Sequence, residues 1–190
     1  WETLVKNADT AMHFAKERGR GSFQHFRSQM NKQLVQRLNL EHALRHALEK
    51  KDFLLHYQPK YSLPEEKIVG AEALVRWLHP QEGMISPAEF IPVAEASNMI
   101  IVLGEWVLRT ACQQVKIWEQ EGLGSLRIAV NLSSRQFQSR KLLRLIKETL
   151  TETGLNPDKL ELEITESAVM EDPAQAIELL RDIRKQGVRI

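Results

Sequence analysis

The sequence predicts an α/β fold built on a largely parallel sheet, and three observations carry the prediction. Beyond Asp52, strand-like and helix-like segments alternate. The helix-like segments hold apolar residues at three- and four-residue spacing, as Leu103, Trp106, Val107, Ala111, Val115 and Trp118 do. The strand-like segments are apolar runs of the kind that is covered on both faces, yet each is interrupted by a polar side chain: Glu72, Asn131, or Glu161 with Glu163. Pattern alone does not choose between an open sheet and a (β/α)8 barrel. In a barrel, residues near the carboxyl ends of the strands point into one mouth, and three strands then offer oxygen atoms to one place.

Taken in order, residues 7–18 carry Ala8, Ala11, Met12 and Ala15 at helical spacing, and Gly19 and Gly21 supply a stop. A short strand is expected over residues 22–26. Residues 28–50 read as a polar helical region with Met30, Leu34, Leu38, Leu40, Leu44 and Leu48, in which Asn39 offers a cap or a break between two helices. Strands follow over 53–60 and 67–76, joined by a turn at Pro64. Ser86, Pro87 and Glu89 spell a capping box with proline at the first helical position, opening a helix that runs to about Ser97. A second helix is expected over 102–121, a strand over 126–132, a helix over 141–153, a strand over 159–165, and a helix over 173–186 capped by Asp172.

Composition narrows the function classes. With 43% hydrophobic residues in 190, the chain can bury a sizeable core. Lys plus Arg number 26 against 25 Asp plus Glu, which removes the general attraction that marks a binder of DNA or RNA polymers or of anionic membranes. Any anionic ligand must be held locally. The single cysteine, Cys112, excludes an intramolecular disulfide and reads as core packing in a reducing compartment, so a cytoplasmic location is expected. No stretch approaches the length of a membrane span, and no signal peptide is expected in these residues. The chain starts at Trp1 inside a helical pattern and stops at Ile190 as a strand begins. Both ends are expected to be cuts in a longer protein, whose tethering to a membrane through a missing N-terminal region stays open.

Glu72 poses the sharpest chemical question. It stands in GAEALVRW, residues 70–77, where an unpaired charge is costly unless it neutralises or meets a cation. One solution is a hard divalent cation such as Mg2+ or Mn2+, which suits a set of Glu, Asn and Glu oxygens. The other is Arg76, which shares a strand face with Glu72 and Leu74 by period-two geometry. Both stay open on pattern alone.

Five segments in order carry a resemblance: YQP at 57–59, EALVRW at 72–77, HPQEGMISPAEFIPVAE at 79–95, VNLS at 130–133 and LEITES at 162–167. Together they resemble the EAL domain family of cyclic di-GMP phosphodiesterases over residues 40–190. Residues 1–26, above all NADTAMHFAKERGRGSF, resemble the closing helix and strand of a GGDEF domain, the diguanylate cyclase module, and residues 27–39 then form a helical linker. The resemblance implies a partial (β/α)8 barrel whose first strand is antiparallel to its neighbours. It implies metal-dependent hydrolysis of cyclic di-GMP to linear 5'-pGpG by the parent protein. It makes Glu72, Asn131 and Glu163 ligands of Mg2+ or Mn2+, makes Gln58, Leu74 and Arg76 contacts of the dinucleotide, and gives Glu166 the task of holding an active-site loop. Glu95 matches a carboxylate near the mouth whose role stays open. The family's D-D-F-G-T-G aspartates and its lysine fall beyond Ile190, so the two-metal site is incomplete in this chain, the catalytic groups are unassigned, and the fragment alone is expected to be inactive. A receptor that binds cyclic di-GMP without cleaving it, and an interaction scaffold, remain the alternatives.

Other features have plainer explanations. His42 and His46 stand four apart on a helix, but HALRH lacks the glutamate of a zinc-protease motif, and a solvated helix accounts for them. Trp106 and Trp118 belong to an apolar stripe and read as core rather than as stacking platforms for guanine. The basic run KERGR at 16–20 reads as a solvated helix end. The leucines of residues 34–48 offer a face either to a neighbouring domain or to a second copy in a homodimer of the full-length protein.

Overall fold

The computed structural model describes residues 1–17, 21–170 and 172–190. The expected stop at Gly19, together with most of the KERGR run, lies outside them. The chain divides into two compact units, Trp1–His46 and Ala47–Ile190.

The first unit contains α1 (Glu2–Glu17) and most of α2 (Ser28–Lys50). Ala11, Ala15 and Met30 are buried in it, and the Thr10 hydroxyl lies 2.9 Å from the Lys6 carbonyl and 3.1 Å from Asn31 Oδ1 on α2. Two expectations are corrected here. Residues 22–26 form no strand: the segment finds no ladder partner among the described residues, and Phe23 stays exposed. Asn39 does not interrupt α2, because asparagine in a helix interior costs less than about 1 kcal/mol, too little to break a helix anchored on both sides.

The second unit holds β1 (Phe53–Ser62), β2 (Lys67–His79), β3 (Gly83–Ile85), α3 (Pro87–Ala96), α4 (Met99–Gln120), β4 (Arg127–Leu132), α5 (Ser134–Phe137), α6 (Leu142–Thr153), β5 (Leu160–Ile164), α7 (Glu166–Met170) and α8 (Pro173–Lys185). The sheet order is β1-β2-β4-β5, with short β3 paired to the end of β2. β1 and β2 form an antiparallel hairpin, and β2, β4 and β5 are parallel. The parallel strands are joined by helical crossovers, as parallel geometry requires. Arg189 continues the series beside β5, donating its amide to the Leu160 carbonyl and accepting from the Leu162 amide. This is the expected barrel-type α/β order with a reversed first strand; no closed barrel is formed among the described residues.

Period-two alternation divides the sheet residues between two faces. The outer face carries Ala71, Ala73, Trp77, Ile128, Val130, Leu160 and Leu162, all buried, and meets the apolar stripe of α4, where Leu103, Val107, Ala111 and Val115 are buried as expected. Phe53 stacks with Trp77, Phe90 and Trp106 at centroid distances of 5.7, 5.9 and 6.2 Å, and Trp118 meets Tyr57 edge-on at 4.9 Å. Both tryptophans therefore belong to the layer behind the sheet. Burial pushes the Tyr57 hydroxyl up to about 12 and the Cys112 thiol likewise to about 12, so neither ionises near neutrality.

Helix starts follow local chemistry, with one correction. Ser86 caps α3 by accepting from the Ala88 amide, but Glu89 remains in solvent and does not close the expected box. A complete box occurs instead at α5, where Ser133 Oγ accepts from the Gln136 amide and Gln136 Oε1 accepts from the Ser133 amide. Gln136 is buried over Gly104 of α4; a Cβ at Gly104 would lie 1.8 Å from its Nε2. That seat fixes the turn that follows β4.

Candidate active site

The inner face of the sheet collects the polar residues. In the register of the ladder, Gln58 lies opposite Glu72, Glu72 opposite Ala129, Ala129 opposite Glu161, and Asn131 opposite Glu163. Partners in a ladder present their side chains to one face, so Gln58, Glu72, Asn131, Glu161 and Glu163 share it. Leu74 and Arg76 follow Glu72 on that face toward the carboxyl end of β2. Every residue expected to hold metal or dinucleotide is therefore on this side.

Glu72 is half-buried, and its partner is an amide rather than a guanidinium: Asn131 Nδ2 donates to Glu72 Oε1 at 2.6 Å. The alternative pairing with Arg76 is not made. Arg76 turns its Nη1 to the Val75 carbonyl at 2.9 Å, leaving most of its donors free of that contact. Asn131, in giving its N–H to Glu72, keeps its carbonyl oxygen available on the exposed side.

Glu163 meets a lysine that sequence reasoning did not single out. Lys60 Nζ lies 2.5 Å from Glu163 Oε1 and 2.9 Å from Glu161 Oε1. Lys60 belongs to β1 and the carboxylates to β5, with β2 and β4 between. Its partner in the ladder is Gly70, which has no side chain, and the β4 residue opposite Glu161 is Ala129, with Arg127 next to it on the same face. Burial lowers the affinity of Lys60 for its proton, but hydrogen bonds to Glu163 and then Glu161 outweigh it, and the pKa ends above the ordinary lysine value. The available signal was spacing: Lys60 is two residues from Gln58 and thus shares its face. The reach to β5 depends on sheet curvature, which spacing does not reveal.

Glu166 opens α7 just past β5, exposed and with no ionic partner among the described residues. Glu95 is half-buried on α3. His42 and His46 are exposed on α2, and no cluster of three or more His, Cys, Asp or Glu with metal-site geometry occurs among the described residues. No helix among them is long and apolar enough to cross a membrane.

Residues 41–190 match the EAL domain family. The chain is 43% identical over 187 residues to the bifunctional diguanylate cyclase/cyclic di-GMP phosphodiesterase MucR of Pseudomonas aeruginosa, covering 98% of this chain and 27% of that protein. It is 37% identical to the cyclic di-GMP phosphodiesterase PdeR of Escherichia coli, covering 98% of this chain and 28% of that protein. The chain thus spans about a quarter of the length of these curated relatives. Among solved structures, the PaMucR phosphodiesterase in complex with c-di-GMP superposes with a TM-score of 0.76 at 43% identity, covering 79% of this chain and 61% of that one. Five motifs in order, a sheet with a reversed first strand and a family match over most of the chain agree: the chain belongs to the EAL domain family.

Proposed function

We propose that the protein carrying this domain hydrolyses one phosphodiester bond of cyclic di-GMP to give linear 5'-pGpG, in a metal-dependent reaction. The observation that carries this is the gathering of Gln58, Glu72, Arg76, Asn131 and Glu163 on the inner face of the sheet, with Glu72 and Asn131 in direct contact. The names of the relatives, and a related structure described as a c-di-GMP complex, support the choice of substrate.

The donor set fits Mg2+ or Mn2+: two carboxylates and one amide oxygen, all hard ligands, on three neighbouring strands. Glu72, Asn131 and Glu163 would hold the ion. When bound, such an ion activates a water and offsets negative charge on the phosphoryl oxygens. The chain's own residues do the rest. Asn131 is oriented by its bond to Glu72, which aims its carbonyl oxygen away from that carboxylate. Arg76 offers a planar fork of donors to a phosphate, and Gln58 an amide that both donates and accepts. Leu74 supplies an apolar surface between them. Glu166, at the start of α7, would hold the segment after β5.

Residues 1–26 are assigned, on the resemblance, to the closing part of a GGDEF domain, and residues 27–39 to a helical linker. The alignment with the bifunctional relative, which runs over 98% of the chain and so includes residues before 41, supports that assignment.

The direct test is Glu72→Ala in the full-length protein, with pGpG formation measured in Mg2+ or Mn2+. Turnover is expected to vanish, because the substitution removes a ligand oxygen and leaves Asn131 without its orienting partner. Turnover equal to wild type would exclude Glu72 from the site. Saturable binding of cyclic di-GMP by the wild type with no product would identify a receptor instead.

A further inference from the structure

We propose that Lys60 and Glu161 form a counter-ion exchange pair for Glu163: the Lys60 ammonium occupies Glu163 until a divalent cation takes that carboxylate, and Glu161 then retains the ammonium. The inference rests on Glu163 being a ligand of that cation.

The geometry points to exchange because one ammonium is shared by two carboxylates. Lys60 Nζ is 2.5 Å from Glu163 Oε1 and 2.9 Å from Glu161 Oε1. Glu161 and Glu163 are two residues apart on one strand, so they face the same side. Two carboxylates so placed repel each other unless a cation stands between them. Only one of the pair, Glu163, lies opposite Asn131 in the ladder, and Asn131 touches Glu72; Glu161 lies opposite Ala129 and has no such neighbour. The two carboxylates are thus unequal. Glu163 adjoins the oxygen donors, while Glu161 adjoins the ammonium and, across the edge of β5, Arg189, whose Nε donates to the Asp158 carbonyl.

Lysine suits this task. Its ammonium is a point charge on a flexible four-carbon stem and can shift between two acceptors without the planar matching an arginine fork demands. Gly70, opposite Lys60, adds no side chain beside the stem, and Ala129, opposite Glu161, adds only a methyl group, while Arg127 faces the same side opposite Gly70. All three side chains are roughly a third exposed, at 34%, 29% and 34% for Lys60, Glu161 and Glu163. That exposure leaves room for the ammonium to move while the attraction stays stronger than in bulk water. Without Glu161, an ammonium released from Glu163 would have no anion to receive it and would remain as a competitor of the incoming ion.

The test compares Mn2+ binding by calorimetry in the full-length wild type, K60M, E161Q and E163Q. Removing the ammonium should tighten Mn2+ binding and removing its second seat should weaken it, each on the order of ten-fold, the scale on which residues behind a ligand alter metal affinity. A gain of affinity in K60M has no explanation in misfolding. A purely structural tie between β1 and β5 predicts that both variants bind more weakly, or that neither changes, and either result overturns the proposal. E163Q separates the two levels. Wild-type binding of Mn2+ that E163Q does not weaken removes Glu163 from the metal site, and this proposal with it. Binding that E163Q weakens while K60M and E161Q leave it unchanged removes the exchange pair alone.

Discussion

A carboxylate survives in the apolar run of β2 because its oxygen meets an amide proton from the neighbouring strand. That arrangement satisfies Glu72 without neutralising it, and the negative charge stays available to a cation. Arg76 is accordingly not spent on Glu72. Its contact with the Val75 carbonyl is local, which leaves the guanidinium for a ligand. Arg76→Ala should weaken cyclic di-GMP binding by about 1.5 to 3 kcal/mol, the scale of a hydrogen bond to a charged group, with Mn2+ affinity retained. Calorimetry with each ligand separately checks this; unchanged nucleotide affinity would remove Arg76 from the dinucleotide site. At this scale sequence was informative about which residues are polar exceptions on the sheet, and not about what each one touches: the Asn131 amide on Glu72 was not foreseen. Glu72, Asn131 and Glu163 were visible as polar exceptions in apolar runs. The occupant of Glu163 was not, because Lys60 reaches it across two intervening strands.

Among the elements, β2 constrains the sheet most tightly. At Gly70 a Cβ would sit 2.5 Å from the Arg127 carbonyl oxygen, inside any real contact distance and against backbone that cannot swing away. β2 and β4 would have to separate at the level just below Glu72. Gly70→Ala should therefore cost about 1 to 3 kcal/mol in urea denaturation, as overpacking does, and should lower turnover with it. Unaltered stability would mean that the ladder widens freely at that point. The strands and long helices were legible from apolar periodicity, since burial is what the periodicity encodes. Short elements were not. The box at Ser133 and Gln136 depends on a seat at Gly104 of α4 that is remote in sequence. The segment expected as a strand over 22–26 joins no ladder among the described residues, and β-propensity counts for little where no neighbouring strand is present to pack against.

For the molecule as a whole, the sheet covers one face with helices and presents the polar face that carries the candidate site. A polypeptide of residues 1–190 alone should make no pGpG at any Mn2+ concentration, because Glu72, Asn131 and Glu163 supply ligands for only part of a two-metal arrangement. Its strand edge at residues 188–190 should favour association. Product formation assays and sedimentation would decide; cleavage by a monomer would contradict the account of the site. The barrel-type order was recognisable from alternation and motif order together. Curvature was not, for it arises from how successive ladders twist.

The reversal of β1 has a consequence for how the domain can be handled from outside. In a barrel of uniformly parallel strands, the first strand begins at the base, opposite the mouth. Here Phe53 lies opposite Trp77, near the carboxyl end of β2, and the Leu78 amide donates to the Asp52 carbonyl at 3.0 Å. The polypeptide therefore enters at the rim. Asp52 also donates its amide to the Ala47 carbonyl in the last turn of α2, which ties that turn to the strand end from which Arg76 projects one residue before Trp77, a short lever to the lip of the site that needs no passage through the core.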